Sequence, residues 1–180
     1  MESGALPELF VLPNNETKRN YIAAIKDTVS NYIGYIEDTF LIHKAKRYDI
    51  RGKDTISGNC KYYINDLSFK NYLYPGFAYG TGYKLENLVY LQLCRAGYTV
   101  YVGAMRDKEV DFVAIKGDRT IYLQSTYLLS DEQTIRREYA SLEAIPDNYE
   151  KYVVSFDDIS FPLNQGIKHI QAWKLANEIY

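Results

Sequence analysis

Cysteine, histidine and tryptophan are almost missing from this 180-residue sequence, at two, two and one residues. Two cysteines, Cys60 and Cys94, cannot build a disulfide framework and read as free thiols of an intracellular chain. His43 and His169 stand apart from any serine or cysteine motif, and no Cys or His spacing suits zinc. A hydrolase triad and a zinc site are therefore not expected. No apolar run approaches the length of a membrane span, and the first residues, MESGALPELF, lack a basic stretch followed by a long apolar one. The expected location is cytoplasmic, with no membrane partner. Nor is there an excess of one charge: 21 Lys and Arg stand against 23 Asp and Glu, a net charge of −2. That excludes a whole-protein basic field for nucleic acid, so any such binding needs a local patch. A G-x-x-x-x-G-K-[ST] phosphate loop is absent too, which excludes ATP hydrolysis by that route.

What is present is a hydrophobic fraction of 47%, enough in a chain of this length for one cored domain and a smaller appendage. Tyrosine is abundant, with 19 residues. Tyrosines can stack on bases, but Tyr98, Tyr101, Tyr122 and Tyr152 fall in strand-like runs, where aromatics pack well on a pleated surface.

Along the chain, residues 1–27 read as an extended arm with Pro7 and Pro13, then a short helix from Glu16 to Thr28. Val29, Tyr32, Ile33, Ile36 and Phe40 then recur at helical spacing, with Ser30 and Asn31 as candidate caps. Leu41–Ile50 and Gly58–Ile64, joined by a Gly52-Lys53-Asp54 turn, predict a β-hairpin. Helix then hairpin is the back half of a winged-helix unit, so residues 28–80 are expected to form a partial winged-helix-like segment with a linker from Asn65 to Gly80. Lys44, Lys46, Arg47, Arg51 and Lys53 make this hairpin basic, and such a strip suits phosphates. Lysines on an edge strand also serve simply to discourage aggregation.

Residues 82–127 carry most of the functional signal. Leu85, Leu88, Val89, Leu93 and Ala96 predict a helix that ends at Gly97. Tyr98–Val102, Val110–Ile115 and Thr120–Leu123 predict three strands, with turns at Gly103 with Asp107 and at Gly117-Asp118. Glu86 sits in the first turns of the helix, Asp111 interrupts an apolar strand, and Gln124 ends the next. A carboxylate in an apolar strand is costly unless it is paired or holds a metal. Ser130, with Gln133 three residues on, predicts a capped helix carrying Ile135, Tyr139 and Leu142. Strands at Lys151–Phe156 and Gly166–Ala172 and a short terminal helix or tail from Trp173 follow. The order αβββαβ from Gly82 predicts an α/β domain over residues 81–180, a mixed sheet with helices on both faces.

This order resembles the PD-(D/E)xK, or restriction-endonuclease-like, superfamily. The segments Ala45–Lys53, Lys61–Asp66, Gly82–Asn87 and Lys108–Val113 further resemble the C-terminal domain of unknown function of prokaryotic AAA-type ATPases, here without the ATPase module. The resemblance implies Glu86, Asp111 and Gln124 as the degenerate catalytic and metal-ligating set, with Thr126 where the family has its lysine. It implies Mg²⁺ or Mn²⁺ as cofactor if that site works. Two functions stay open. One is a non-catalytic nuclease-fold module that binds a partner, either DNA or an ATPase protein. The other is a metal-dependent DNA or RNA nuclease. A purely structural remnant is a third.

Overall fold

The computed structural model describes residues 11–73, 80–106 and 108–180. The first ten residues of the expected arm, the end of the expected linker and Asp107 of the first turn lie outside them. The chain divides into two units after Ile42.

In the first unit, a single helix, α1 (Asn15–Asp38), spans both helices expected from the sequence. It starts earlier than Ser30 because the Asn14 side chain accepts from the Thr17 backbone N–H at 2.8 Å, satisfying one of the orphan donors of a first turn. None of its residues is buried, and Ile22, Val29, Tyr32, Tyr35 and Ile36 are exposed.

The second unit is α/β. Its elements are β1 (Ile42–Asp49), β2 (Asp54–Ile64), α2 (Leu67–Leu73), α3 (Thr81–Arg95), β3 (Thr99–Met105), β4 (Lys108–Lys116), β5 (Arg119–Ser125), α4 (Glu132–Glu143), β6 (Glu150–Ser155), β7 (Ile167–Gln171) and α5 (Leu175–Ile179). The seven strands form one mixed sheet in the order β2-β1-β3-β4-β5-β6-β7. β1 runs parallel to β3, β3, β4 and β5 are antiparallel, and β5, β6 and β7 are parallel. A boundary expected at residue 80 is instead spanned by the sheet, because β1 pairs Arg47 with Val102 and Tyr48 with Gly103.

Helices cover both faces. On one, α3 and α5 press Leu85, Val89, Leu93, Leu175 and Ile179 onto Val102, Phe112, Ile121, Leu123 and Val154. On the other, α4 presses Tyr139 and Leu142 onto Val110, Val113, Tyr122 and Val153. Leu85 and Leu93 are fully buried, and each contributes roughly 1.5–3 kcal/mol relative to an exposed side chain. α3 ends as its sequence predicts. Gly97 takes φ +85°, its N–H donates to Cys94 O, and the Tyr98 N–H donates to Leu93 O. This paired closure of the last carbonyls needs a residue free to adopt positive φ.

α4 is capped one residue later than expected, since the Asp131 carboxylate accepts the Thr134 N–H at 2.8 Å. Ser130 contributes only by donating its hydroxyl to Asp131. Among the described residues no helix is long and apolar enough to cross a membrane.

Candidate functional site

Asn87 fixes the geometry. It is fully buried on α3. Its side chain accepts the Ile64 N–H and donates to the Ile64 carbonyl, both at 2.8 Å. A buried amide that pairs with both backbone groups of one residue mimics a neighbouring strand, and here it clamps the end of β2 to α3. Lys61 and Tyr63, two residues apart and so on one face of β2, are thereby carried to Glu86, the residue before Asn87 on α3.

Lys61 Nζ lies 3.0 Å from Glu86 Oε1, 2.8 Å from Glu109 Oε1 and 4.0 Å from Asp111 Oδ1. The Tyr63 hydroxyl donates to Glu86 Oε1 at 2.8 Å, and its ring stacks on Tyr90 at 4.1 Å. Arg47 donates to Glu109 Oε2 at 2.7 Å and to the Asn59 carbonyl at 2.9 Å. Two cations thus face three carboxylates.

Asp111 reaches the cluster through a β-bulge. The β3–β4 register slips between the Tyr101–Val113 and Gly103–Val110 pairs, so Asp111 and Phe112 together oppose Val102. Phe112 packs toward α3 and Val110 toward α4, while the Asp111 carboxylate accepts the Ser125 N–H and hydroxyl, each at 2.8 Å. Its side chain is 13% exposed. Burial, followed by the charge of Glu86, raises its pKa to about 6 against the opposing pull of Ser125 and Lys61. For Lys61, burial favours the neutral amine. The hydrogen bond to Glu109 and the charges of Glu86 and Asp111 outweigh it, and its pKa is raised. Glu109 shifts the other way: burial opposes ionisation, but Lys61 and Arg47 prevail and lower its pKa.

The structure therefore brings Glu86 and Asp111 together around one cation. Gln124 is directed elsewhere. Its amide donates to Glu138 at 3.1 Å, and its oxygen accepts from Ser141 and from the Asp111 backbone N–H, each at 3.3 Å. It lines a recess of about 380 Å³ on the α4 side, with Lys108, Arg137, Glu138 and Ser141. Thr126 is buried and its N–H donates to the Val154 carbonyl.

The donor set fits a divalent ion poorly. The space between Glu86 and Asp111 is taken up by the Lys61 ammonium, whose charge disfavours a second cation there. Among the described residues no group of three or more His, Cys, Asp or Glu is arranged to hold a metal.

Lys61 and Glu109 escaped the sequence reading as members of this cluster. A signal existed for Glu109, two residues from Asp111. For Lys61 there was none, since its arrival depends on the Asn87 clamp.

Of the basic hairpin, Lys44 and Lys46 are exposed, flanking buried Ala45, which packs toward α3. Arg51 and Lys53 occupy the exposed turn, and Lys53 lies 5.3 Å from the Tyr149 ring centroid. Arg47 is committed to Glu109 on the α3 side.

Another polar contact was not visible in the sequence. Ser155 Oγ lies 2.8 Å from His169 Nε2 and 2.6 Å from Asp157 Oδ2. His169 Nδ1 accepts the Phe161 N–H at 3.2 Å, so the neutral ring carries its proton on Nε2 and donates to Ser155, which donates to Asp157. A nucleophilic serine needs the reverse, a ring nitrogen free to take its proton. Ser155 is moreover fully buried. Burial lowers the His169 pKa, with Asp157 opposing. This network is structural.

No protein-family model matches the chain, and no solved structure matches it. It is similar to an uncharacterised protein of Haemophilus influenzae, 37% identical over 128 residues, which cover 71% of this chain and 31% of that protein. It is also similar to an uncharacterised protein of Methanocaldococcus jannaschii, 29% identical over 144 residues, covering 76% of this chain and 32% of that protein. The chain spans about a third of the length of the curated relatives it matches.

Proposed function

We propose that this chain is a degenerate nuclease-fold module of the restriction-endonuclease-like type that does not cleave, and that acts by binding nucleic acid or an ATPase partner. The run α3-β3-β4-β5-α4-β6 follows the αβββαβ order of that fold. The order of α1 and then the β1–β2 hairpin is compatible with a partial winged-helix-like segment before it.

One observation carries the proposal. The Lys61 ammonium stands between Glu86, Glu109 and Asp111 at 3.0, 2.8 and 4.0 Å. Nucleases of this class need carboxylates free to take a hard cation and a group that activates water. Here the carboxylates are engaged by the Lys61 and Arg47 side chains, Gln124 turns its amide toward α4, and a threonine stands at 126. Fold by itself does not confer activity.

The test is a cleavage assay. Single- and double-stranded DNA and RNA are incubated with the protein and Mg²⁺ or Mn²⁺, beside Asp111→Ala. Product formation no higher than in Asp111→Ala is expected. Cleavage by the wild type that disappears in the variant would establish the metal-dependent nuclease instead.

A further inference from the structure

α4 packs over β4 to β7, and it leaves Lys44 and Lys46 of β1 exposed on the side of the sheet opposite α3. Strand alternation puts Lys44, Lys46 and Tyr48 on one face, with Ala45 and Arg47 on the other. Tyr48 and Tyr101 are half-buried, with ring centroids 5.4 Å apart. Tyr62 on β2 is half-buried as well, and Lys44 Nζ lies 6.0 Å from its ring centroid. Beside them, Lys44, Lys46, Thr55, Ser57 and Gly58 line a shallow recess of about 310 Å³. The face thus combines flat aromatic rings with lysines that no carboxylate pairs within the ion-pair contacts of the described residues.

We propose that this face of β1, β2 and β3 binds single-stranded nucleic acid. Lys44 and Lys46 take backbone phosphates, and Tyr62 with the Tyr48–Tyr101 pair receives bases. The inference rests on the reading of the chain as a non-cleaving binding module and names its ligand class.

Three physical points favour this occupant. Lysines two residues apart on a strand are separated by about 6.6 Å, which suits successive phosphates of an extended strand. Aromatic rings on a sheet stack any unpaired base, whereas bases in a duplex are already stacked and offer only their edges in the grooves. Protein interfaces, by contrast, are depleted of lysine at their centres. Around the hairpin turn Arg51 and Lys53 add positive charge, against Asp54 and Asp147 nearby. Arg47 is not part of this face, being held by Glu109 on the other side.

The test is fluorescence anisotropy with short single-stranded DNA, single-stranded RNA and duplex oligonucleotides, at about 50 mM and about 200 mM salt. The wild type is compared with the Lys44→Ala/Lys46→Ala double variant and with Tyr62→Ala. Thermal melts check that each variant is folded. Single strands are expected to bind at least about tenfold more tightly than duplex, the DNA and RNA arms telling which sugar is preferred. The double lysine variant should lose about 1.4 from the slope of log affinity against log salt, for two single-strand phosphates. Tyr62→Ala should weaken binding roughly five- to a hundredfold. Equal affinity for duplex, unchanged binding in the folded lysine or tyrosine variants, or no binding to any oligonucleotide would overturn the proposal. Metal-dependent cleavage of the same oligonucleotides would instead overturn the non-cleaving reading, and the lysine and tyrosine results would still report separately on this face.

Discussion

Asp111 holds its proton more tightly than an exposed aspartate because burial and the nearby Glu86 charge disfavour its ionised form. Its folded pKa, about 6, therefore lies above the unfolded value. A group shifted this way contributes stability that is complete below about pH 4 and is lost as pH rises through the folded value. The shift corresponds to about 3 kcal/mol at most. Asp111→Asn removes the titration but keeps the shape. The stability of Asp111→Asn relative to wild type should thus rise between pH 4 and pH 7, by up to about 3 kcal/mol, as measured by urea denaturation across that range. A difference that stays flat with pH would mean that Asp111 ionises normally. Other groups, such as Glu109, shift in the opposite direction, but they are common to both proteins and largely cancel from the comparison.

At the scale of elements, the clamp between α3 and β2 decides what the cluster contains. Asn87→Ala leaves the Ile64 N–H and carbonyl without their partner, and β2 loses its anchor beside Glu86. The expected cost is about 2–4 kcal/mol for two buried backbone groups, read by denaturation. A loss below about 0.5 kcal/mol, the range of an ordinary surface change, would contradict the clamp.

The same contact explains what the sequence did and did not reveal. α3, β3 to β5, α4, β6 and β7 were legible because apolar periodicity and the glycines at 97 and 117 are local signals. Glu86 and Asp111 were legible as candidates because a carboxylate within an apolar pattern stands out. The face to which Gln124 turns was not, since it depends on the pairing of β5 under α4. The approach of Lys61 depends on a side chain 26 residues away along the chain. The Ser155–His169 contact arises only when β6 and β7 lie side by side. Each of the missed features is a product of tertiary pairing rather than of local pattern.

Across the whole molecule, the two units differ in how much they bury. The second has a sheet with apolar clusters on both faces, whereas α1 has no buried residue. A chain beginning at Ile42 should therefore unfold in one cooperative transition with a midpoint within a few degrees of the full chain, because stability follows the apolar area buried. Loss of that transition in a scanning calorimeter would show that the second unit needs the first.

In the proposed reading, the Lys61 ammonium stands among Glu86, Glu109 and Asp111 where a cleaving nuclease of that fold would keep carboxylates free for a metal ion. Calorimetric titration of Mn²⁺ into the wild-type protein, beside Asp111→Ala, tests it most directly. The account predicts no saturable heat from either protein. Saturable binding by the wild type that disappears in Asp111→Ala would contradict it, and would make Glu86 and Asp111 ligands despite the ammonium between them.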